Sequence, residues 1–181
     1  MNSKITFLLG AFLLLAAPVK AQHFSISTNI LDYANLGTLN VDASYGLDTH
    51  WSLGAAVKYN PYTSRQRSGA LTARFWPWHT YSGWWIAGAM RYQEYNTGGY
   101  KTFKKVETEP TNEGDRLGGG LSGGYSYMLG KHFNLDIGAG FWMGYDIYKI
   151  FSCPTCGSVV GSGRKFFILP SDLTLGISYV F

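Results

Sequence analysis

The sequence predicts an all-β protein, namely an eight-stranded antiparallel up-and-down barrel of the transmembrane, outer-membrane type. Three observations indicate this fold. Apolar residues recur at every second position in one segment after another, in a chain with 23 glycines and a 17% aromatic fraction. Seven charged residues inside these segments lie on the phase opposite the apolar residues. The connections between the segments are alternately short and long.

Eight segments carry the alternation, and each is predicted to form one strand, because a period of two places the apolar side chains on one face. In chain order they are residues 23–31, 38–46, 50–60, 70–76, 83–95, 116–129 and 132–147, followed by a closing strand that begins near Phe166. Their apolar phases run, in the same order, from Phe24 to Ile30, Leu39 to Tyr45, Trp51 to Tyr59, Leu71 to Phe75, Ile86 to Tyr92, Leu117 to Leu129, Phe133 to Tyr145 and Leu173 to Phe181. Several segments reach the ~9–11 residues that a tilted membrane strand needs.

The connections sort into two classes by length. Residues 47–49, 77–82 and 130–131 form the short or moderate ones. The long, polar ones are residues 32–37, 61–69, 96–115 and 148–165. Short turns at one rim and long loops at the other are typical of outer-membrane barrels, whose long loops face outside.

The charged phase is predicted to line a narrow lumen. Its members are mixed in sign: Asp42, Lys58, Arg74, Arg91, Asp136, Asp146 and Asp172. In an eight-stranded barrel, side chains fill the interior, and buried acids need basic partners there. The apolar phase has no charge in its central stretches, as contact with hydrocarbon requires. Alternation alone leaves a β-sandwich open as the alternative.

The two ends of the sequence indicate export and assembly. Lys4, the apolar run Ile5–Ala17 and small residues before Gln22 predict a cleaved signal peptide over residues 1–21, and thus a barrel domain over residues 22–181. Removing Lys4 and Lys20 leaves a net charge of 13 − 11 = +2, which does not favour nucleic acid as a partner. Phe181 is predicted to be the aromatic assembly signal for the barrel-assembly machinery. The predicted location is the outer membrane of a Gram-negative bacterium.

Two glycine- or cysteine-containing motifs have simple structural interpretations. Residues 118–124 contain a formal G-x-G-x-x-G, but alternation continues after them, so they are predicted to form a glycine-rich strand that leaves space in the lumen or bends. Cys153 and Cys156 lack the further ligands that zinc needs and the βαβ context of a redox centre. A disulfide between them in the last long loop is therefore predicted, and neither a metal nor another cofactor is expected.

The predicted long loops are rich in basic residues interleaved with aromatic residues. These residues are candidates for contact with a ligand or with lipopolysaccharide phosphates: Arg65, Arg67, Lys101, Lys104, Lys105, Lys149, Arg164 and Lys165. The histidines instead map to the short-turn rim, at His23, His50, His79 and His132. Since an outer-membrane enzyme needs a histidine near the outer leaflet, enzymatic activity is not expected.

Several stretches together resemble a known family. They include TNILDYANLGTLNVDASYGLDTHWSL, KYNPYTS, YQEYNTGGY, GGYSYMLGKHFNLD, YKIFSCPTCG and DLTLGISYVF. The sequence is similar to the family catalogued as domain of unknown function 3575, small exported proteins of Bacteroides-type bacteria that are regarded as outer-membrane barrels. The family pattern usually has Trp after Asn60-Pro61, where this chain has Tyr62. The resemblance implies the fold and the compartment, and it implies no activity.

The function predicted from these observations is that of a small non-enzymatic outer-membrane barrel acting through its extracellular loops, in adhesion, ligand binding or membership of a larger outer-membrane complex. Its expected surroundings are outer-membrane lipid and lipopolysaccharide. The alternatives are a narrow pore or transporter, which a filled lumen disfavours, and an envelope enzyme.

Overall fold

The computed structural model describes residues 23–34, 38–60, 66–97, 100–101, 104–105, 110–153 and 157–181. At 100–101, 104–105 and 171–172 it describes the backbone alone. The elements in chain order are β1 (Phe24–Asn29), α1 (Ile30–Ala34), β2 (Leu39–Gly46), β3 (Trp51–Tyr59), β4 (Arg67–Phe75), β5 (Gly83–Asn96), β6 (Tyr100–Lys101), β7 (Lys104–Lys105), β8 (Thr111–Met128), β9 (Phe133–Phe151) and β10 (Val159–Val180). Among the described residues, no helix is long and apolar enough to cross a membrane.

Eight strands close into one antiparallel barrel in the order β1-β10-β9-β8-β5-β4-β3-β2. The first and last strands complete the ring, with Ile26 opposite Tyr179 and Thr28 opposite Ile177. The two-residue strands β6 and β7 pair with each other between β5 and β8. The structure thus confirms the predicted all-β class and the closed eight-stranded antiparallel barrel.

The barrel reverses the burial pattern of an ordinary globular domain. Large apolar side chains stand on its outer face, where Met90 is 69% exposed and Leu71 is 68% exposed. Polar side chains such as Ser52 and Asn134 are buried inside. A closed sheet with a period of two produces this arrangement, because each strand sends alternate side chains to the two faces.

Short connections lie at one end of the barrel, which is called the turn end here. They are residues 47–50, 76–82 and 129–132. The connections at the opposite end, the loop end, follow β1, β3, β5 and β9. The connection between β5 and β8 is long, as predicted, but those between β3 and β4 and between β9 and β10 are no longer than the 76–82 connection at the turn end, so the predicted contrast in length holds only in part.

The first predicted strand is three residues too long, one at its start and two at its end. β1 stops at Asn29, and Ile30 begins α1 instead of continuing the strand to Leu31. The side chain of Asn29 accounts for the end, since its Oδ1 accepts hydrogen bonds from the N–H groups of Leu31 (3.2 Å) and Leu175 (3.0 Å). The side-chain oxygen of Asn29 takes the place of a backbone carbonyl acceptor at the strand end, as Asn side chains commonly do in turns.

Other predicted strands are too short at the loop end. β4 begins at Arg67 instead of residue 70 and ends at Phe75, β8 begins at Thr111 instead of residue 116, and β9 runs on to Phe151. β10 begins at Val159, so most of the predicted loop 148–165 is strand. The prediction that this segment is a long loop is wrong.

A β-bulge explains why the start of the last strand was misjudged. Ser171 lies opposite Gly140 and Thr174 lies opposite Gly138, so β10 holds one extra residue there. An extra residue inverts the phase of a strand. Phe167 consequently points inward before the bulge, whereas Leu173 and Ile177 point outward after it. Alternation therefore breaks in the sequence although the strand continues.

Candidate functional site

The turn end of the lumen is closed by the connection between β4 and β5, which we call the plug (residues 76–82). Trp76 is 1% exposed, and Tyr81 is also buried. The two rings meet edge to face at 5.8 Å, and Trp85 lies 6.5 Å from Trp76. Trp76 Nε1 donates to Ser52 Oγ at 3.0 Å. Aromatic side chains thus fill the mouth of the barrel.

Tyr81 holds the plug in a conformation that is costly for a non-glycine residue. Its φ is 65°, in the left-handed region. Its carbonyl oxygen accepts hydrogen bonds from Asn134 Nδ2 (2.7 Å) and Ser126 Oγ (3.4 Å). Its hydroxyl accepts from Ser44 Oγ at 3.3 Å. Three strands therefore fix this residue, and their hydrogen bonds offset the backbone strain.

The middle of the lumen contains ionic and cation–π contacts. Arg74 Nη2 lies 3.4 Å from Asp42 Oδ2, and the guanidinium lies over the ring of Trp85 at 5.1 Å. Lys58 Nζ lies 2.8 Å from Asp32 Oδ2, which connects the lumen to α1. A cavity of about 90 Å³ lies beside these groups. Arg74 Nε and Trp85 Nε1 are buried and find no acceptor in the described part of the protein, so the polar cavity suits ordered water.

A second ionic cluster lies towards the loop end and is centred on Asp146, whose side chain is fully buried. Its carboxylate accepts from Tyr95 Oη at 2.9 Å and from Arg116 Nε at 3.1 Å. Lys165 Nζ lies 3.6 Å away. The Arg116 guanidinium also lies 4.2 Å from the Tyr95 ring centroid. This buried carboxylate is thus compensated by two cations and a hydroxyl, as desolvation requires.

Five of the seven predicted lumen charges line the central cavity: Asp42, Lys58, Arg74, Arg91 and Asp136. Asp146 is buried above them, and the side chain of Asp172, at the bulge, lies outside the described residues. Asp42 and Arg74 contact each other.

The other contacts involve partners that the sequence analysis missed. Asp32 and Lys165 were placed in predicted loops, and Tyr95 was not considered as a partner. Arg116 could have been predicted to face the lumen, since it shares the phase of Gly118 within the sixth predicted strand. The Arg91 guanidinium lies over the Trp142 ring at 5.3 Å, a cation–π contact that alternation cannot indicate.

The predicted loop contacts lie mostly on strands. Lys149 and Arg164 are exposed on β9 and β10, with the Arg164 guanidinium 4.0 Å from the Tyr145 ring centroid, and Lys165 turns towards Asp146. Arg67 begins β4. Lys101, Lys104 and Lys105 belong to β6 and β7, where the backbone alone is described, and Arg65 lies outside the described residues.

The outer face carries a ring of charges at the loop end, which we call the collar. Its members are Arg67, Glu94, Glu113, Asp115, Lys149 and Arg164. Arg67 lies opposite Glu94, which in turn lies opposite Asp115. Tyr92 Oη, one step below the collar, donates to Asp115 Oδ1 at 3.0 Å. Between the collar and the turn end, the outer faces of β2, β3, β4, β5, β8 and β9 carry no Asp, Glu, Lys, Arg or His.

The predicted roles of Cys153, Cys156 and Phe181 stay predictions. Cys156 lies outside the described residues, so the structure does not test its disulfide with Cys153. Phe181 donates its N–H to the Phe24 carbonyl at 2.9 Å, and its ring contacts Tyr179 at 4.8 Å. Its recognition by the assembly machinery stays a prediction. Within the described ranges, no three His, Cys, Asp or Glu side chains converge on a point where they could hold a metal ion.

Comparison with known proteins gives one relationship. No curated protein and no solved structure matches the chain. The model of one family, described as "Protein of unknown function (DUF3575)", matches residues 6–181. The chain therefore belongs to the DUF3575 family.

Proposed function

We propose that the protein is a small non-enzymatic outer-membrane barrel, exported by a cleaved signal peptide, that acts through the surface it presents beyond the membrane. Adhesion, ligand binding and membership of a larger outer-membrane complex are the roles that such a surface serves. The observation that carries the proposal is the reversed burial of the barrel, with apolar side chains outside and charges inside.

The apolar outer face has the extent that a bilayer demands. On β5 it runs from Trp84 to Tyr92, close to the ~9–11 residues of a tilted membrane strand. A charge in the middle of such a face costs about 2–4 kcal/mol in lipid. In water, by contrast, a continuous apolar face of this size would drive association.

Aromatic pairs border this face at both ends, as the aromatic girdles of membrane barrels do. At the turn end, Trp84 and Tyr125 pair at 5.3 Å, and Phe133 and Tyr179 pair at 5.1 Å. At the loop end, Tyr145 and Phe166 pair at 5.6 Å. The charges of the collar begin just beyond these loop-end rings.

Part of the barrel wall continues past the collar. β8, β9 and β10 have 18, 19 and 22 residues, whereas β1 has 6 and β3 has 9. Thr111 and Val159 both lie opposite Phe151 in this extension. Val160 is 65% exposed at its edge. This three-stranded extension of the wall supports a role in contacting a ligand or partner.

The plug supports a binding role over the alternative of a narrow pore. Trp76 and Tyr81 occupy the lumen at the turn end, and the ionic clusters occupy much of the rest. In planar bilayers we expect no steady conductance from the purified protein. Reproducible large openings would make the pore the better proposal.

Location is tested by fractionation and by gel migration. We expect the protein in the outer-membrane fraction, beginning at Gln22, with migration that changes on boiling because a closed barrel resists detergent. Recovery from the periplasm with heat-independent migration would contradict the barrel's membrane role.

The contact surface is tested by a photo-crosslinking side chain placed at Val160 in intact cells. We expect crosslinks to envelope components outside the membrane. The matched control is the same side chain at Leu47, which is exposed at the turn end. Crosslinks from the Leu47 position but not from the Val160 position would contradict the proposal, because they would indicate a contact surface at the turn end.

A further inference from the structure

One edge of β10 is paired along only part of its length. Towards β9, the strand pairs from Val159 to Tyr179. Towards β1, it pairs only from Gly176 to Val180, because β1 has just 6 residues. In the described part of the chain, no strand pairs with this second edge between Val159 and Pro170. A long stretch of β10 is therefore an open sheet edge, which is a template for pairing with another chain.

The ladder shows which backbone groups face this open edge. The N–H of Val180 is bonded on the β9 side, to the carbonyl of His132. Backbone groups alternate between the two edges of an antiparallel strand, so even-numbered residues after the bulge face β9. The bulge in β10 reverses this order. Before the bulge, the N–H and C=O groups of Ser162, Arg164 and Phe166 therefore face the open edge.

The helix α1 covers only the part of this edge that is nearer the turn end. The side chain of Asn29, just before α1, bonds the carbonyl of Leu173 at 3.0 Å and the N–H of Leu175 at 3.0 Å. The 5 residues of α1 extend about 7.5 Å. The strand from Phe166 to Leu173 alone extends about 23 Å. The segment from Ser162 to Phe166 thus lies beyond α1.

The open segment lies at and beyond the outer border of the face that we propose to span the membrane. Phe166 pairs with Tyr145 in the loop-end aromatic border. Arg164 and Ser162 lie further from the turn end on the same strand, and both side chains are exposed. A polypeptide outside the membrane can therefore reach this edge.

The side chains along the open segment are basic. Residues 157–170 contain Arg164 and Lys165 and no acid. Lys165 turns inward to the buried carboxylate of the loop-end cluster. Arg164 faces outward, where it lies opposite Ile147 of β9 and contacts the Tyr145 ring. Since opposite charges stabilise neighbouring strands, a strand added beside Arg164 should carry an acid.

We propose that the open edge of β10 binds an extended, acidic segment of another protein by strand addition. The backbone of that segment bonds the N–H and C=O groups of Ser162, Arg164 and Phe166, and a carboxylate pairs with Arg164. In this binding mode, main-chain hydrogen bonds supply affinity and alternate side chains supply specificity. The inference rests on the proposed function, since it names the class of partner for the surface at Val160.

A second copy of the chain does not fit this edge. Antiparallel pairing of β10 with itself would invert one barrel relative to the other, whereas copies in one membrane share an orientation. A two-fold axis along the membrane normal keeps the two strands in one direction, but it places carbonyl against carbonyl and N–H against N–H. An extended segment of a different protein can pair in either direction.

The first test extends the photo-crosslinking at Val160 in intact cells. Ser162→Pro removes an edge-facing N–H, and an open edge tolerates proline. Ser162→Ala keeps the N–H and is the matched control. We expect Ser162→Pro to lower the crosslink yield about fivefold or more, the effect of losing one hydrogen bond, and Ser162→Ala to leave it unchanged. The crosslinked peptide should map to an acidic segment.

The second test uses the purified barrel and synthetic peptides of alternating valine and glutamate. Controls are the same peptide with lysine in place of glutamate and a copy that is N-methylated throughout and cannot donate. Hydrogen exchange reports the N–H groups of Ser162, Arg164 and Phe166. We expect only the unmethylated glutamate peptide to slow their exchange, and Arg164→Gln to remove its advantage over the lysine peptide. Each variant is first checked for the heat-dependent shift in migration, which shows that the barrel has assembled.

Crosslinks that survive Ser162→Pro, or exchange that no peptide slows, would overturn strand addition while leaving the membrane barrel in place. Equal slowing by the lysine peptide would overturn the acidic class of partner. Crosslinks to a second copy of the chain would overturn the inference in favour of self-association. Absence of the protein from membranes would instead refute the proposed function.

Discussion

The two ends of the lumen are filled by different kinds of contact. At the turn end, Trp76 and Tyr81 fill the barrel by aromatic packing and neutral hydrogen bonds. Towards the loop end, Asp146 is held by Arg116 and Lys165. Packing of rings depends on close contact of apolar surfaces, whereas an ionic cluster depends on each buried charge keeping its partners. The turn end should therefore be most sensitive to the loss of ring volume, and the cluster towards the loop end to the loss of a charged partner.

The largest expected effect comes from removing the plug's central ring. Trp76→Ala leaves a cavity in a closely packed site, and it should lower the free energy of unfolding by about 3–5 kcal/mol. Urea titration in detergent micelles measures this change. Trp76→Phe keeps most of the packing but loses the bond to Ser52, and it should cost about 1 kcal/mol. Equal costs for the two variants would show that packing does not stabilise the plug.

The loop end should respond nearly as strongly to loss of its buried acid. Asp146→Ala leaves Arg116 and Lys165 beside an uncompensated site, and it should lower the free energy of unfolding by about 3 kcal/mol. Lys149→Ala removes an exposed charge from the same strand, and it should change stability by no more than about 0.5 kcal/mol. An Asp146→Ala variant with the free energy of unfolding of the wild type would contradict the assignment of this cluster as a stabilising element.

The contact between Asp42 and Arg74 lies between the two ends and should be weaker. Its atoms are 3.4 Å apart, and both side chains keep about a fifth of their exposure. A double-mutant cycle with Asp42→Asn and Arg74→Met should give a coupling energy of about 1 kcal/mol. The single Arg74→Met change should cost more than Asp42→Asn, because it also removes the contact with Trp85. The reverse order would show that the Trp85 contact adds nothing.

The smallest expected effect concerns a surface turn between β2 and β3. The N–H groups of His50 and Trp51 donate to the Asp48 carboxylate at 2.6 Å and 2.8 Å, and they lower its pKa below the usual 3.8. Since the folded pKa is depressed, the stabilisation is present above the unfolded pKa and is lost as pH falls through the folded one.

Asp48→Asn should therefore lower stability slightly at neutral pH and leave it unchanged at the acid end of the range, which flattens the acid limb of the stability curve. Urea midpoints of the variant and the wild type, collected between pH 2 and pH 7, would measure this change in the pH dependence of stability. An acid limb identical to that of the wild type would mean that the turn contributes no pH dependence.

Most of the barrel could be predicted from local pattern. The alternation from Trp51 to Tyr59 assigns each side chain of β3 to one face, and the register of the structure agrees with it. Residues 118–124 were predicted to belong to a glycine-rich strand, and they lie within β8. A Cβ at Gly118, Gly120 or Gly124 would lie less than 3 Å from a backbone oxygen of β9, so these glycines permit close approach of the two strands. These features follow from the period of two, which each strand carries within itself.

The strand ends were harder to predict, because they depend on pairing with distant segments. β9 and β10 continue together past residue 148, with Ile150 opposite Gly161, and neither segment alone shows a strong pattern there. The bulge near Ser171 hides the start of β10 by reversing its phase. The basic residues Lys149 and Arg164 were consequently assigned to a loop, although they lie on strands.

The sequence alone was enough to infer a chain that alternates between an apolar and a charged phase and pairs into eight strands, because that information is local. Only the tertiary structure decided which charges meet, that the β4–β5 connection enters the lumen, and that β10 extends past the end of β1. These features depend on the register with which distant strands pair around a closed ring. Closure brings Tyr81 to Asn134 and Asp146 to Tyr95, and no local pattern encodes those distances.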